Sequence, residues 1–349
     1  MQSVGRPIIV ALELTLACPC RCVTCGSAAG IARKHELSTR EWLTVISDLA
    51  TLGCKRVTLM GGEPLCREDW PILAEAAAEA GMLVDMVTSG LGVNQAVAAR
   101  MRKTPLASVT VSVDGTAAVH DGQRGVPGLY GQALAAIRWL DQAGFKVGVT
   151  TQLNPETLPT LETLAEELQT AGAMGWQLQL TLPTGRAANR PHLMMTPATM
   201  ARLYRSLQRL AARHGLRPHI TDNIGYCTED DSALRTMQGG FPTAWRGCLA
   251  GLLVAGVMSD GSVKGCLALP DTCIEGNVRR EKLPDIWNDP HRFAYNRRDE
   301  PAGLSGACAH CPNGAVCRGG CTALALTMHG HPGESSLCFS QLSPSEVLR

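Results

Sequence analysis

Between residue 6 and about residue 220, short runs of β-branched and apolar residues alternate with helical patterns. The strand candidates are residues 8–16, 56–60, 83–88, 108–113, 146–152 and 177–182. Several, such as Val109-Thr-Val-Ser-Val113, are β-branched and bounded by turn residues. The helices between them have readable ends. Ser38-Thr-Arg-Glu41 is a capping box, in which the hydroxyl and the carboxylate satisfy free N–H groups at a helix start. Trp42, Leu43, Val45, Ile46 and Leu49 follow as an apolar face, and Gly53 ends the helix in the left-handed conformation. Thr196-Pro197 opens another long helix that Gly215 closes. Such alternation predicts an α/β fold with a parallel sheet and right-handed crossovers. Six units do not close an eight-stranded barrel, so a partial (β/α)6 barrel is expected.

A polar, turn-like segment follows each strand. Residues 18–25 follow the first, Gly61-Gly-Glu-Pro64 the second and Thr88-Ser-Gly90 the third. Ser112-Val-Asp-Gly115 ends the fourth, Thr151-Gln-Leu-Asn154 the fifth and Pro183-Thr-Gly-Arg186 the sixth. Ligands of parallel α/β proteins gather at the carboxyl ends of the strands, where these loops converge. Ordinary βα turns favour the same residues, so no single loop decides the matter.

Length and charge narrow the field. A chain of 349 residues is long for one domain. A net charge of +1 and 4% aromatic residues offer nucleic acid neither a basic face nor a stacking platform. The N-terminal MQSVGRPIIV lacks the pattern of a signal peptide, and the longest apolar run, residues 249–258, is too short to span a bilayer. No membrane association and a cytoplasmic location are expected. Cysteine is the anomaly: of the 15 present, four lie in residues 18–25, eight in residues 248–338, and none between Cys66 and Cys227. In a reducing compartment this reads as metal ligation flanking a conventional scaffold.

The first group contains Cys18-x3-Cys22-x2-Cys25, with Cys20 interposed. Three thiolates on one loop grip three irons of a cubane and leave the fourth iron open. A zinc loop lacks a second pair nearby, and a redox Cys-x2-Cys uses only two of the thiols. Here the chain resembles the radical S-adenosylmethionine superfamily. The resemblance rests on these cysteines, on Gly61-Gly-Glu-Pro64 and on Ser112-Val-Asp-Gly115; Thr24 departs from the aromatic residue usual before the third cysteine. It implies that the open iron chelates S-adenosylmethionine, which is cleaved reductively to a 5′-deoxyadenosyl radical. By the same resemblance Gly61, Gly62 and Glu63 contact the amino group, Ser112 the ribose or carboxylate, and Arg124 pairs the carboxylate. Gln152 is a further cofactor candidate, and His120 shares a loop with Arg124.

The second group reads Cys248-x12-Gly261-x4-Cys266, then Cys308-x2-Cys311-x5-Cys317-x3-Cys321, then Cys338. It lacks the two knuckles of a zinc ribbon, and seven thiolates approach the eight that two tetranuclear clusters need. It resembles the SPASM domain of peptide- and protein-modifying maturases. That implies one auxiliary cluster on Cys308, Cys311, Cys317 and Cys338, and another on Cys248, Cys266 and Cys321. Cys227 is the expected fourth ligand of the latter, with Cys273 its competitor or a hydrogen-atom donor. Residues 252–258 and 262–267 flank Ser-Asp-Gly, a hairpin signature that brings Cys248 and Cys266 together.

The expectation is a radical barrel over residues 1–222 and a Cys-rich α+β SPASM domain over residues 223–349, with three [4Fe–4S] clusters and S-adenosylmethionine. Its substrate is expected to be a ribosomally made peptide, with flavodoxin or ferredoxin as electron donor. Many relatives carry an N-terminal peptide-binding domain, whereas the barrel here starts almost at once; a separate leader-binding protein or the rim itself is expected instead. A sugar or cyclitol dehydrogenase is the small-molecule alternative. A sulfatase-type maturase is disfavoured because Leu267 stands where those enzymes place an acidic residue after the cysteine. A pure electron-transfer protein would not need the loops after the second and fourth strands.

Overall fold

Period-two burial in the strands and amphipathic helices between them give a sheet covered on one face. A computed structural model describes residues 5–213, 215–221, 223–226, 228–237, 243–297 and 303–342. The first seven strands are β1 (Ile9–Glu13), β2 (Arg56–Met60), β3 (Leu83–Thr88), β4 (Leu106–Ser112), β5 (Lys146–Leu153), β6 (Gly175–Leu180) and β7 (Pro218–Ile220). Each pairs in parallel with the next. The helices α1 (Thr39–Thr51), α2 (Trp70–Glu79), α3 (Gln95–Met101), α4 (Ala117–Arg124), α5 (Leu129–Gln142), α6 (Leu161–Thr170) and α7 (Pro197–Ala211) form the crossovers. This is the partial barrel the alternation predicts, extended by the short β7 that three residues with a leading proline conceal.

The capping box at Ser38 and Glu41 forms as read, and Trp42, Val45, Ile46 and Leu49 are buried. Leu43 does not join them; it lies at the exposed edge of α1. Gly53 takes a φ of 78° where the chain leaves that helix. The helix opened by Thr196 stops at Ala211, ahead of Gly215, which turns with a φ of 109°. Strand residues Leu12, Leu59, Met86, Val111, Val149 and Leu178 pack with these helices in one apolar core.

The C-terminal part continues the same sheet. β8 (Val254–Val257) pairs in parallel with β1, and β9 (Ser262–Lys264) and β10 (Gly276–Asn277) follow antiparallel. The strand order is β10-β9-β8-β1-β2-β3-β4-β5-β6-β7. β8 and β9 are the hairpin expected around Ser-Asp-Gly, and docking on β1 joins the second cysteine region to the sheet that carries the first.

Candidate functional site

Parallel strands bring the loops after β1, β2, β3, β4 and β6 to one rim. The loop after β1 carries Cys18, Cys22 and Cys25, and every neighbouring loop holds it. Gly62 and Glu63 donate their backbone N–H groups to the carbonyls of Thr15 (2.7 Å) and Ala17 (2.8 Å). A Cβ on Gly61 would stand 2.4 Å from Thr15 O and one on Gly62 2.3 Å from Ala17 O, so only glycine allows this approach. The Glu63 carboxylate is buried and is engaged by the loop after β3. It accepts from Thr88 Oγ1 (2.8 Å), Ser89 N (2.8 Å) and Ser89 Oγ (2.6 Å), locking the loops after β2 and β3 together. Burial pushes its carboxyl up, against those hydrogen bonds.

On the other side stands Arg124, at the end of α4. Its Nη2 lies 2.7 Å from Asp114 Oδ2 and its Nη1 3.8 Å from Cys22 Sγ. Asp114 also accepts from Gln152 N (2.8 Å) and donates its own N–H to His120 Nδ1 (2.9 Å). His120 and Arg124 thus share the helix α4 rather than a loop, and His120 is completely buried. Ser112 is the buried last residue of β4, and Gln152 on β5 lies within 3.5 Å of Thr181 Oγ1.

The thiols differ in state. Cys20, fully buried, is hydrogen-bonded to both Cys18 and Cys22, which raises its own pKa. That bond, then the Arg124 charge, lowers Cys22 to about 6 against its burial, and Cys18 moves in the same direction, chiefly through Cys20. Thiolate is the form that binds iron. Cys20 is the donor and its neighbours the acceptors, consistent with Cys20 as an interloper.

Arg186, in the loop after β6, was not singled out from the sequence, although the Pro-Thr-Gly-Arg turn was. Its Nε donates to Cys22 O and its Nη1 to Ala29 O, both at 2.7 Å, and its N–H to Cys25 O at 3.0 Å. It ties both ends of the cysteine loop to the barrel.

The second cysteine region divides into two neighbourhoods. Cys248, Cys266, Cys273 and Cys321 pack around Ala250, Leu269 and Ala323. Burial raises the Cys321 thiol, and the sulfurs of Cys248 and Cys266 raise it further. Cys308 is raised by burial and then by Cys311; Cys338 by burial and then by Cys317 and Cys308. Cys248 and Cys321 also pack against the cluster of Tyr226, Trp245, Cys317 and Cys338, so the two neighbourhoods adjoin. Cys227 lies outside the described residues. Among the described residues no three His, Cys, Asp or Glu side chains gather at single-ion distance; a tetranuclear cluster takes its thiolates on separate irons. No described helix is long and apolar enough to cross a membrane.

Comparison with known proteins agrees with this geometry. Residues 12–168 match the family model of the radical SAM superfamily, and residues 248–312 that of the SPASM iron–sulfur cluster-binding domain. The chain is 32% identical to mycofactocin maturase MftC of Mycobacterium ulcerans, over 92% of this chain and 85% of that protein. It is 29% identical to an AdoMet-dependent heme synthase of Oleidesulfovibrio alaskensis, over 95% and 87%. Among solved structures, Streptococcus suis SuiB bound to precursor peptide SuiA aligns with a TM-score of 0.74 at 16% identity, covering 96% of this chain and 76% of that one. anSMEcpe with bound AdoMet aligns with a TM-score of 0.74 at 14% identity, covering 97% and 96%.

Proposed function

The chain belongs to the radical S-adenosylmethionine superfamily and carries a SPASM iron–sulfur domain, and from that premise we propose that it modifies a ribosomally made peptide by hydrogen-atom abstraction. Cys18, Cys22 and Cys25 would hold the first [4Fe–4S] cluster, and the loop fits it: three thiols, two biased toward thiolate, beside one guanidinium. When bound, this cluster supplies the electron that splits S-adenosylmethionine into methionine and the 5′-deoxyadenosyl radical that attacks the substrate. The residues around it bind and orient. With the Glu63 carboxylate committed to Thr88 and Ser89, the backbone of Gly61–Glu63 is the part left for the cofactor's amino group. Arg124 holds its carboxylate, Asp114 aims Arg124, and Ser112 and Gln152 contribute from the ends of β4 and β5. Residues 1–222 would perform this chemistry; residues 223–349 would hold two auxiliary clusters and close the barrel mouth. Cys273 competes with Cys227 for the last auxiliary ligand or returns a hydrogen atom to the product. Flavodoxin or ferredoxin in the cytoplasm would supply the electrons, and a separate protein or the rim would hold a leader peptide.

One observation carries the peptide over a carboxylate-bearing tetrapyrrole. The sheet face away from the helices presents Thr110, Thr150, Gln152, Gln177 and Gln179, hydroxyls and amides suited to a peptide backbone. Of the arginines tied into this rim, Arg33 and Arg186 are already bound to Glu13 and to backbone carbonyls, and Arg124 is the one assigned to the cofactor's carboxylate. The heme-synthase relatives favour the tetrapyrrole as the second reading. The test incubates reduced enzyme and S-adenosylmethionine with peptides encoded nearby, with tetrapyrroles and with cyclitols, and reads products by mass spectrometry. A mass change in a peptide is expected. Turnover of a tetrapyrrole or cyclitol with every peptide unchanged overturns the proposal. Replacing Cys18, Cys22 and Cys25 by alanine should remove a third of the ~12 irons and all 5′-deoxyadenosine.

A further inference from the structure

The indole nitrogen of Trp245 is aimed at a sulfur. Its Nε1–H donates to Cys317 Sγ at 3.2 Å, in a buried setting. The ring is held by groups from other elements. Its backbone N–H donates to Asp231 Oδ2 at 2.8 Å, and the Tyr226 ring lies tilted against it with centroids 4.9 Å apart. The Arg235 guanidinium stands 5.2 Å from its centroid. Arg235 is itself buried, paired with Asp231 at 2.8 Å and donating to the carbonyls of Thr221, Ile224 and Gly225. Tyr226 extends the assembly, accepting from the N–H of Cys321 at 3.0 Å. A phenyl ring would keep the contacts to Tyr226 and Arg235 but has no N–H donor for the sulfur.

We propose that Trp245 sets the reduction potential of the auxiliary cluster held through Cys317. This rests on the reading of Cys308, Cys311, Cys317 and Cys338 as the ligands of that cluster. Reduction adds one electron and no proton, and the added charge spreads onto the thiolate sulfurs. A fixed N–H dipole directed at one of those sulfurs, backed by a buried guanidinium, stabilises the more negative state more than the less negative one. Hydrogen bonds to cluster sulfurs are an established lever on potential, and low surrounding dielectric strengthens them. Trp245 is thus a positioning residue: it biases a cluster without touching S-adenosylmethionine or substrate.

The test is a redox titration of the fully loaded enzyme, followed by electron paramagnetic resonance. Trp245→Phe keeps the ring and removes the donor. Unchanged iron content is expected, with the Cys317-linked cluster at a lower potential. At a fixed poise its reduced-to-oxidised ratio should fall about tenfold, corresponding to about 59 mV for one electron. The potential of the Cys18, Cys22, Cys25 cluster should stay put. An unchanged auxiliary potential with full iron overturns the inference. Should the variant fail to load iron, unaltered protein labelled with indole-15N tryptophan decides: a 15N coupling to the reduced auxiliary cluster supports the inference, and its absence refutes it. A Cys308→Ala, Cys311→Ala variant separates the two readings. Loss of the titrated signal there locates the cluster; persistence means the ligand assignment itself has failed.

Discussion

His120 accepts the Asp114 N–H through Nδ1, so its own proton sits on Nε2, which has no hydrogen-bond partner among the described residues. Burial, then the nearby Arg124 charge, lowers its pKa from 6.5 to about 4. As pH falls between those values the unfolded chain takes up a proton that the folded chain refuses. Stability is therefore full above about pH 6.5 and is lost as pH drops toward 4, by a total on the order of 3 kcal/mol. Urea unfolding across this range should show wild-type stability falling more steeply than that of His120→Gln, whose amide oxygen still accepts the Asp114 N–H. Parallel curves would show that His120 does not titrate on unfolding. At this scale the sequence displayed the residues but not their partners. Arg124 was recognisable in its motif; Asp114, ten positions away, becomes its counter-ion only once β4 and α4 fold back on each other. Glu63 stood out in Gly-Gly-Glu-Pro, yet its carboxylate serves Thr88 and Ser89 on the next loop, a partnership that only the pairing of β2 with β3 creates.

At the scale of elements, β2 and β3 have the boundaries read from their β-branched runs, because turn residues bracket both. β7 escaped because three residues cannot display a period. The loop after β6 was legible as a turn but not as a clamp, since its function lies in contact with residues some 160 positions earlier. Gly185 is the pivot. It sits at a φ of 53°, and a Cβ there would meet Gly26 O at 2.3 Å and Cys25 O at 2.4 Å, both backbone atoms that cannot swing aside. Gly185→Ala should displace the cysteine loop by about 1 Å, the overlap that these contacts imply. Misplacement on this scale lowers catalysis on the order of 100-fold, so 5′-deoxyadenosine formation should fall by about that factor while the auxiliary clusters keep their iron. Wild-type rates in that variant would mean that the two loops are not in register as described.

The whole molecule is joined where local sequence is silent. β8 follows β1 by more than two hundred residues, yet it pairs with β1 and places Cys248 and Cys266 on the sheet that carries Cys18. Nothing within either segment encodes this partner; each reads only as a short apolar strand, and the match of two free edges supplies the rest. Polar groups secure the junction. Glu13, on β1 and buried, accepts from Arg33 and from Ser259 N and Oγ (both 3.2 Å), while Arg33 also donates to Ser259 Oγ at 2.8 Å. Burial, opposed by the Arg33 charge, raises the Glu13 carboxyl, so the ion pair is poised against its own desolvation. Removing Glu13 leaves the largely buried Arg33 with the more exposed Asp260 Oδ2, 3.5 Å away, as its counter-charge, which costs about 3 kcal/mol, the low end for a broken buried pair. Proteins of this length often unfold in parts, so coupling through the shared sheet is a demanding expectation. In Glu13→Ala, hydrogen exchange should accelerate together in peptides from β2–β4 and from β8–β9, by on the order of 100-fold where exchange requires opening of the sheet. Acceleration confined to the hairpin, with the barrel strands still protected, would show that β8 rests on β1 without sharing its cooperativity.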